Sequence, residues 1–480
     1  MNIMSTNDTT VPLCVDLDGT LVKSDLLIES VFALLKKKLR YAILLPLWLL
    51  KGKAALKHEI ATHADIDISL LPYHEELGIF LQEEKKKGRP LYLVTATNKK
   101  YADQVAALTG IFDGVIASDA ENNLSGSGKL RAIQDFFKSS QFDYAGNEKK
   151  DLKIWGHARK AIIVSDNSNL IAETKKIAEV ECVFDSGQKT NQHLKAMRPH
   201  QWVKNLLVFL PLFAAQEITN ASLDLQAIAA FIAFSFCASS VYLLNDLLDL
   251  PVDRKHPRKR LRPYASGTAS IVHGAALIPI LLLLSLLVAL FLPIEFLIVL
   301  IIYYLCTLFY SIKLKNVVML DVLLLAGLYT LRIIAGAAAV SIEPSFWILA
   351  FSLFIFLSLA MVKRYSELQY VVKSGQKKIA GRGYQTTDLE LLISLGSSSG
   401  YMAVLVLALY INSPEVIGMY THPEIIWLLC PLLLYWISRI WFVTKRGEMH
   451  DDPVVFALRD KISRIVVIIA FAILISAQYF

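Results

Sequence analysis

The stretch NDLLDLPVDRKHPRKRLRPYASG, residues 245–267, follows directly on an apolar run, residues 225–244, that is long enough to cross a bilayer. It carries three carboxylates and six Lys or Arg. Asp246 and Asp249 are three apart, and Asn245, Asp249 and Asp253 are four apart. On a helix those intervals put the side chains on one face. Carboxylates at the mouth of a membrane helix are costly unless a cation neutralises them. Oxygen-only ligands suit Mg²⁺, which is readily shared with phosphate oxygens. Arg254, Lys255, His256, Arg258, Lys259, Arg260 and Arg262 then offer donors for phosphate. Pro251 lacks an N–H and clashes one turn back, so the helix is expected to break or kink near Asp249 with Asp253 on the bent-back segment. A solvated loop carrying topology signals would account for the basic residues but not for acids at helical spacing.

The rest of the 480-residue chain divides around this stretch. Residues 1–190 are soluble in pattern, 191–197 read as a linker, and 198–480 are mostly long apolar runs. The net charge of +7 sits largely in loops beside those runs, which points to membrane orientation and phosphate binding and not to nucleic acid. Five scattered cysteines show no zinc or disulfide spacing. No basic segment leading into an apolar one opens the sequence, so the first domain is expected to stay cytosolic.

In that domain, residues 11–18 (VPLCVDLD) read as a buried strand presenting Asp16 and Asp18, with Gly19 opening a turn. Two Asp two apart at a strand end can divide phosphoryl transfer between nucleophile and proton donor. Further strands are expected at 90–94, ending in Thr95-Ala-Thr97, at 114–118 and at 161–165. Lys129 enters a helix after SGSG, and Asn147 and Asp151 follow a turn. Strands alternating with helices imply a parallel sheet with ligands at its carboxyl ends. Residues 26 to about 81 are helical in pattern and placed to form a cap. Within them, residues 41–50 are apolar but too short to span, and flanked by lysines. They fit a membrane-surface helix or a buried cap helix equally.

Nine spans are expected from apolar run length, at 202–216, 225–247, 271–291, 294–312, 317–340, 346–362, 392–411, 425–443 and 465–480. The first is the weakest, interrupted by Pro211. Loops after the second, fourth, sixth and eighth carry Lys and Arg, and the intervening short loops do not. That alternation predicts a cytosolic N-terminus, an external C-terminus and the acidic stretch on the side of the first domain. Lys204, Asn205, Tyr310, Lys313, Lys315 and Lys363 gather on the same side. Asp321 and Arg332 lie within spans, where ionisable groups are functional candidates and an interhelical ion pair is the plain alternative.

The four motifs around Asp16/Asp18, Thr95, Lys129 and Asn147/Asp151 resemble the haloacid-dehalogenase (HAD) phosphohydrolase superfamily. The resemblance implies an α/β domain, Rossmann-like with a helical cap. Asp16 would be the nucleophile, Asp18 the general acid/base, Thr95 a phosphoryl ligand and Lys129 a charge stabiliser. Mg²⁺ would be held by Asp16, Asp18 and the fourth motif. That motif has Asn147 where an Asp is usual, leaving Asp151 as its acid. Residues 198–480 resemble the UbiA superfamily, an all-α bundle of nine transmembrane helices with the motif NDxxDxxxDR. RPHQWVKN, DRKHPRKRLRPYASG, YSIKLK and DPVVFALRD look closest to its polyprenyl-phosphate phosphoribosyltransferase branch. The resemblance implies a multi-pass enzyme of the cytoplasmic membrane that joins polyprenyl phosphate to phosphoribosyl diphosphate. Mg²⁺ on Asn245, Asp246, Asp249 and Asp253 would take up charge on the departing diphosphate. An aromatic prenyltransferase, taking a prenyl diphosphate and an aromatic acceptor, is the alternative. Its usual second DxxxD motif is reduced here to Asp321. A transporter driven by a HAD ATPase is disfavoured by Asp18, which promotes complete hydrolysis.

Overall fold

A computed structural model describes residues 10–138, 141–217, 219–373, 375, 382–449 and 452–479. They form two compact units, Met1–Met197 with Tyr242–Ile278, and Arg198–Val241 with Pro279–Phe480. The sequence reading places residues 242–278 wholly in the membrane domain; their packing puts them with the N-terminal residues.

In the first unit six parallel strands form one sheet in the order β3-β2-β1-β4-β5-β6. They are β1 (Leu13–Val15), β2 (Leu91–Asn98), β3 (Gly114–Ser118), β4 (Asp143–Gly146), β5 (Lys160–Val164) and β6 (Glu179–Phe184). The order reverses between β1 and β4, and a crevice for ligands opens at such a point, at the strand carboxyl ends. Leu13, Val15, Leu93, Ala145 and Ile162 are fully buried, as continuous apolar strands of a two-faced sheet require. Strands β4 and β6 escape the sequence reading. β4 is four residues long and opens on a buried Asp143, whose charge is met by Arg89 and by Arg159 at 2.7 Å. β6 is a half-exposed edge strand that mixes Glu with Val and Cys.

Between β1 and β2 lie α1 (Leu26–Lys37), α2 (Tyr41–Leu50) and α3 (Lys53–His63), then a helix over Glu75–Lys86. Asp25 caps α1, its carboxylate accepting from the N–H of Ile28 at 2.9 Å. Leu34, Tyr41, Trp48, Ile60 and Ala64 form a small core that holds these three helices together.

Eight helices are long and apolar enough to cross a membrane among the described residues, where the sequence predicts nine. They are Ala221–Leu248, Ile271–Ala289, Ile294–Ile312, Leu320–Ala339, Phe346–Lys373, Thr386–Ile411, Pro423–Arg446 and Lys461–Tyr479. The missing one is a 3₁₀ helix over Pro199–Phe209 followed by a five-residue α-helix, Leu210–Ala214, with Pro211 in its first turn. Pro211 can start a helix but cannot continue one. The tighter winding has a compensation in length. Eleven residues at about 2.0 Å and five at about 1.5 Å extend about 30 Å, roughly the hydrocarbon thickness. In the second unit this segment packs against the helix Leu320–Ala339, where a Cβ on Gly336 would strike the Val208 backbone.

Candidate functional sites

The acidic stretch belongs to the first unit. The helix Ala221–Leu248 stops at Leu248, Asp249 caps the next helix, and Pro251 sits in the first turn of Leu250–Lys255. The proline thus sets the break at Asp249, while Asp249 still donates its N–H to the Asn245 carbonyl at 2.9 Å. Asp246 and Asp253 are both buried and bridged by one guanidinium nitrogen of Arg262, at 3.1 and 2.6 Å. Burial, with Asp246 close by, keeps the Asp253 carboxyl above its ordinary range despite Arg262. Asp249 pairs with Lys36 of α1 at 2.7 Å. The side-chain oxygen of Asn245 is buried without a hydrogen-bond partner, a state that costs free energy unless a ligand meets it.

The donor chemistry of Asn245, Asp246, Asp249 and Asp253 fits a hard divalent cation, and the orphaned Asn245 oxygen is the observation that tests it. Among the described residues no three His, Cys, Asp or Glu side chains converge closely enough to ligate one ion. The geometry gives the reason: Arg262 and Lys36 stand against the carboxylates and supply the countercharge.

Arg254 has another partner. Both of its terminal nitrogens reach the Glu29 carboxylate of α1, at 2.9 and 2.6 Å, and Ser24 also donates to Glu29. The pair is nearly sealed, with side chains 6% and 4% exposed. Arg254 therefore fastens residues 242–278 to α1. Replacing Glu29 by Gln strands a buried guanidinium, at a cost of about 3 kcal/mol. We expect tryptic cleavage at Arg258–Arg262 to accelerate markedly in Glu29→Gln; an unchanged cleavage rate would remove this role. His256 accepts the N–H groups of Arg258 and Lys259 at 3.2 and 3.3 Å and so shapes the turn. Lys259 and Arg260 are exposed, and Arg260 joins Arg254, Lys23 and Tyr73 in lining an open cavity of about 390 Å³.

The same unit holds a second acidic site, at the order reversal of the sheet. Val15 and Ala145 are register partners, so Asp16 leaves β1 level with Gly146 and Asn147 follows one residue on. Asp16 accepts the Leu17 N–H and pairs with Lys129, both at 2.8 Å. Asp18 accepts the N–H of Leu26, at the start of α1, at 2.9 Å, and the Thr97 hydroxyl. Burial pushes the Asp16 carboxyl up to about 6, against the opposing pull of Lys129. Burial, with Asp25 near, pushes Asp18 up to about 7. Thr95 is buried, its hydroxyl oxygen accepting from the Thr97 N–H at 3.0 Å. Asp151 is also buried, accepting the N–H groups of Asn147 and Glu148 at 3.0 Å and the Tyr144 hydroxyl at 3.0 Å. It acts on the crevice through Tyr144 and Lys129, which are 2.9 Å apart. Asn147 takes the Thr20 hydroxyl at 3.2 Å, and its amide lies where a Cβ on Gly19 would be, which with a φ of +74° explains that glycine.

In the second unit Lys204 pairs with Asp452, and Lys363 stands 3.8 Å from the same carboxylate. Burial raises the Asp452 carboxyl, but these two ammonium groups outweigh it and hold it down at about 2. Asn205 bridges Ser235 and Arg332, and Arg332 also donates to the Tyr303 hydroxyl at 2.9 Å. Asp321 is wholly buried, its oxygens taken by Arg364 at 2.5 Å and by Tyr384 at 2.6 Å. Tyr310 accepts from Arg364 and Arg382, at 2.9 and 2.8 Å. Lys313 is exposed at a helix end, and Lys315 is half-buried. Glu29, Lys36, Arg364 and Tyr384 were not assigned these roles by sequence; only Arg364, just past the apolar run 346–362 and within the helix Phe346–Lys373, offered a signal.

Apolar crossing helices with ion pairs sealed among them define a multi-pass membrane protein. The UbiA prenyltransferase family pattern matches residues 206–462, and the chain belongs to that family, as a UbiA-superfamily transferase. The y4nM protein of Sinorhizobium fredii is 36% identical over 463 residues, covering 95% of this chain and 89% of that one. The similarity therefore runs through both units. The decaprenyl-phosphate phosphoribosyltransferase of Mycolicibacterium smegmatis is 29% identical, covering 60% of this chain and 92% of its own. A UbiA homologue from Archaeoglobus fulgidus, solved with GPP and Mg²⁺, matches 59% of this chain and 99% of its own at 19% identity and a TM-score of 0.46.

Proposed function

We propose that the membrane domain transfers 5-phosphoribose from phosphoribosyl diphosphate to a polyprenyl phosphate, and that the N-terminal domain is a HAD-type phosphatase acting on the product. The observation that carries the first part is the state of Asp321. With both oxygens committed to Arg364 and Tyr384, it is a sealed ion pair and not half of a second metal site of the kind an aromatic prenyltransferase uses. The similarity to decaprenyl-phosphate phosphoribosyltransferases supports the same choice.

Bound at Asn245, Asp246, Asp249 and Asp253, Mg²⁺ would supply positive charge to the departing diphosphate. Arg262, released from Asp246 and Asp253, is placed to bind its oxygens, and the exposed Lys259 and Arg260 the ribose phosphate. The lipid phosphate is already an anionic nucleophile and needs positioning more than a base. Lys204, Lys313, Lys315 and Lys363 are the candidates for that. The protein would reside in the cytoplasmic membrane with its N-terminal domain in the cytosol. Isothermal titration tests the lysines. Lys313→Ala and Lys315→Ala are expected to weaken phosphoribosyl diphosphate or lipid phosphate about tenfold each, as loss of a charged hydrogen bond implies. Unchanged affinity for both ligands would return them to topology signals.

A further inference from the structure

Helix α2 reads YAILLPLWLL and carries no charged side chain on any face. Such a helix belongs in a core or in a membrane. Only one side of it has a core: Tyr41, Leu44, Leu45 and Trp48 pack with Leu34, Ile60 and Ala64. The other side presents Ile43, Leu47 and Leu50, which are 74%, 52% and 84% exposed. Ten residues make about 15 Å of helix, half of what a crossing needs.

Two further observations say what covers that face. The first is charge. Lys36, Lys37, Lys38 and Arg40 precede the helix, Lys51, Lys53 and Lys57 follow it, and no acid lies between Glu29 and Glu59. Basic flanks around an apolar face match an anionic lipid surface. The second is position. Lys36 is ion-paired with Asp249 at 2.7 Å, and Asp249 is the residue after the crossing helix Ala221–Leu248. Both belong to the first unit. Tyr41 follows Lys36 by five residues, a reach of at most about 17 Å. The helix therefore starts close to the level where that span leaves the membrane.

We propose that α2 lies in the bilayer interface, with Ile43, Leu47 and Leu50 among the acyl chains and the exposed Lys38, Arg40, Lys51 and Lys53 on anionic headgroups. This reading does not depend on either proposed activity.

The test uses the full chain in nanodiscs containing phosphatidylglycerol. In a Cys182→Ser/Cys306→Ser background, a fluorophore is placed at Leu50→Cys or, as control, at Glu83→Cys. Glu83 is exposed on the helix leading into the amino edge of β2. Lipids brominated on the acyl chain are expected to quench the Leu50 probe at least twofold and leave the Glu83 probe unchanged. Lys51→Glu/Lys53→Glu is expected to reduce that quenching. Equal behaviour of the two probes would overturn the proposal. So would excimer emission from pyrene at Leu50→Cys without lipid quenching, since it would assign the face to a second copy of the chain.

Discussion

Asp249→Asn and Asp253→Asn should each reduce transfer about 100-fold or more, the cost of removing a main stabiliser of departing charge. Each change keeps the side-chain shape and removes one negative charge from the acidic stretch Asp246, Asp249 and Asp253. Each also weakens an ion pair: Asp249→Asn takes the charged partner from Lys36, and Asp253→Asn leaves Arg262 with Asp246 alone. The Lys36 pair is partly exposed, so its loss alone has a small effect on folding. A variant that elutes and melts like the parent yet has lost transfer isolates the charge effect. If both variants folded normally and retained near-parental transfer, the carboxylates would have no part in the reaction.

The second large effect concerns Asp16, the nucleophile of the proposed phosphatase. Asp16→Asn is expected to leave transfer intact and to change the product, which should accumulate still carrying the ribose 5-phosphate. Asp16 is held by Lys129 and the Leu17 N–H, and Asp18 stands two residues on, raised toward neutrality by burial as a proton donor requires. An amide at position 16 cannot form the acyl phosphate. A shared chain raises the concentration of one activity's product at the other, to about millimolar for a short tether. Removal of the phosphate would also make the sequence harder to reverse. Identical lipid products from parent and Asp16→Asn in Mg²⁺ would show that the N-terminal domain acts elsewhere or not at all.

The break at Asp249 was legible because Pro251 acts locally and the acids repeat at helical spacing. The strand carrying Asp16 was legible for the same kind of reason, an apolar run closed by Asp-Leu-Asp-Gly. What sequence did not reveal depends on partners far along the chain. Arg254 reads as a phosphate ligand until Glu29, 225 positions away, is seen closing on it. Lys36 reads as one of a run of surface lysines until it meets Asp249. The span expected at 202–216 reads as weak because Pro211 interrupts it, and hydropathy does not reveal that most of the segment 199–214 is wound as a 3₁₀ helix. Strand β4 hides because a charged Asp143 opens it, and only the fold supplies Arg89 and Arg159 to neutralise that charge.

The most direct test of the whole account is the mass of the lipid product formed by the purified full-length protein from polyprenyl phosphate and isotope-labelled phosphoribosyl diphosphate in Mg²⁺. The account predicts a lipid that retains its own phosphate and has gained a labelled pentose, bearing a 5-phosphate in Asp16→Asn and lacking it in the parent. A lipid fraction without label, together with prenylation of an aromatic acceptor supplied with a prenyl diphosphate, would contradict it.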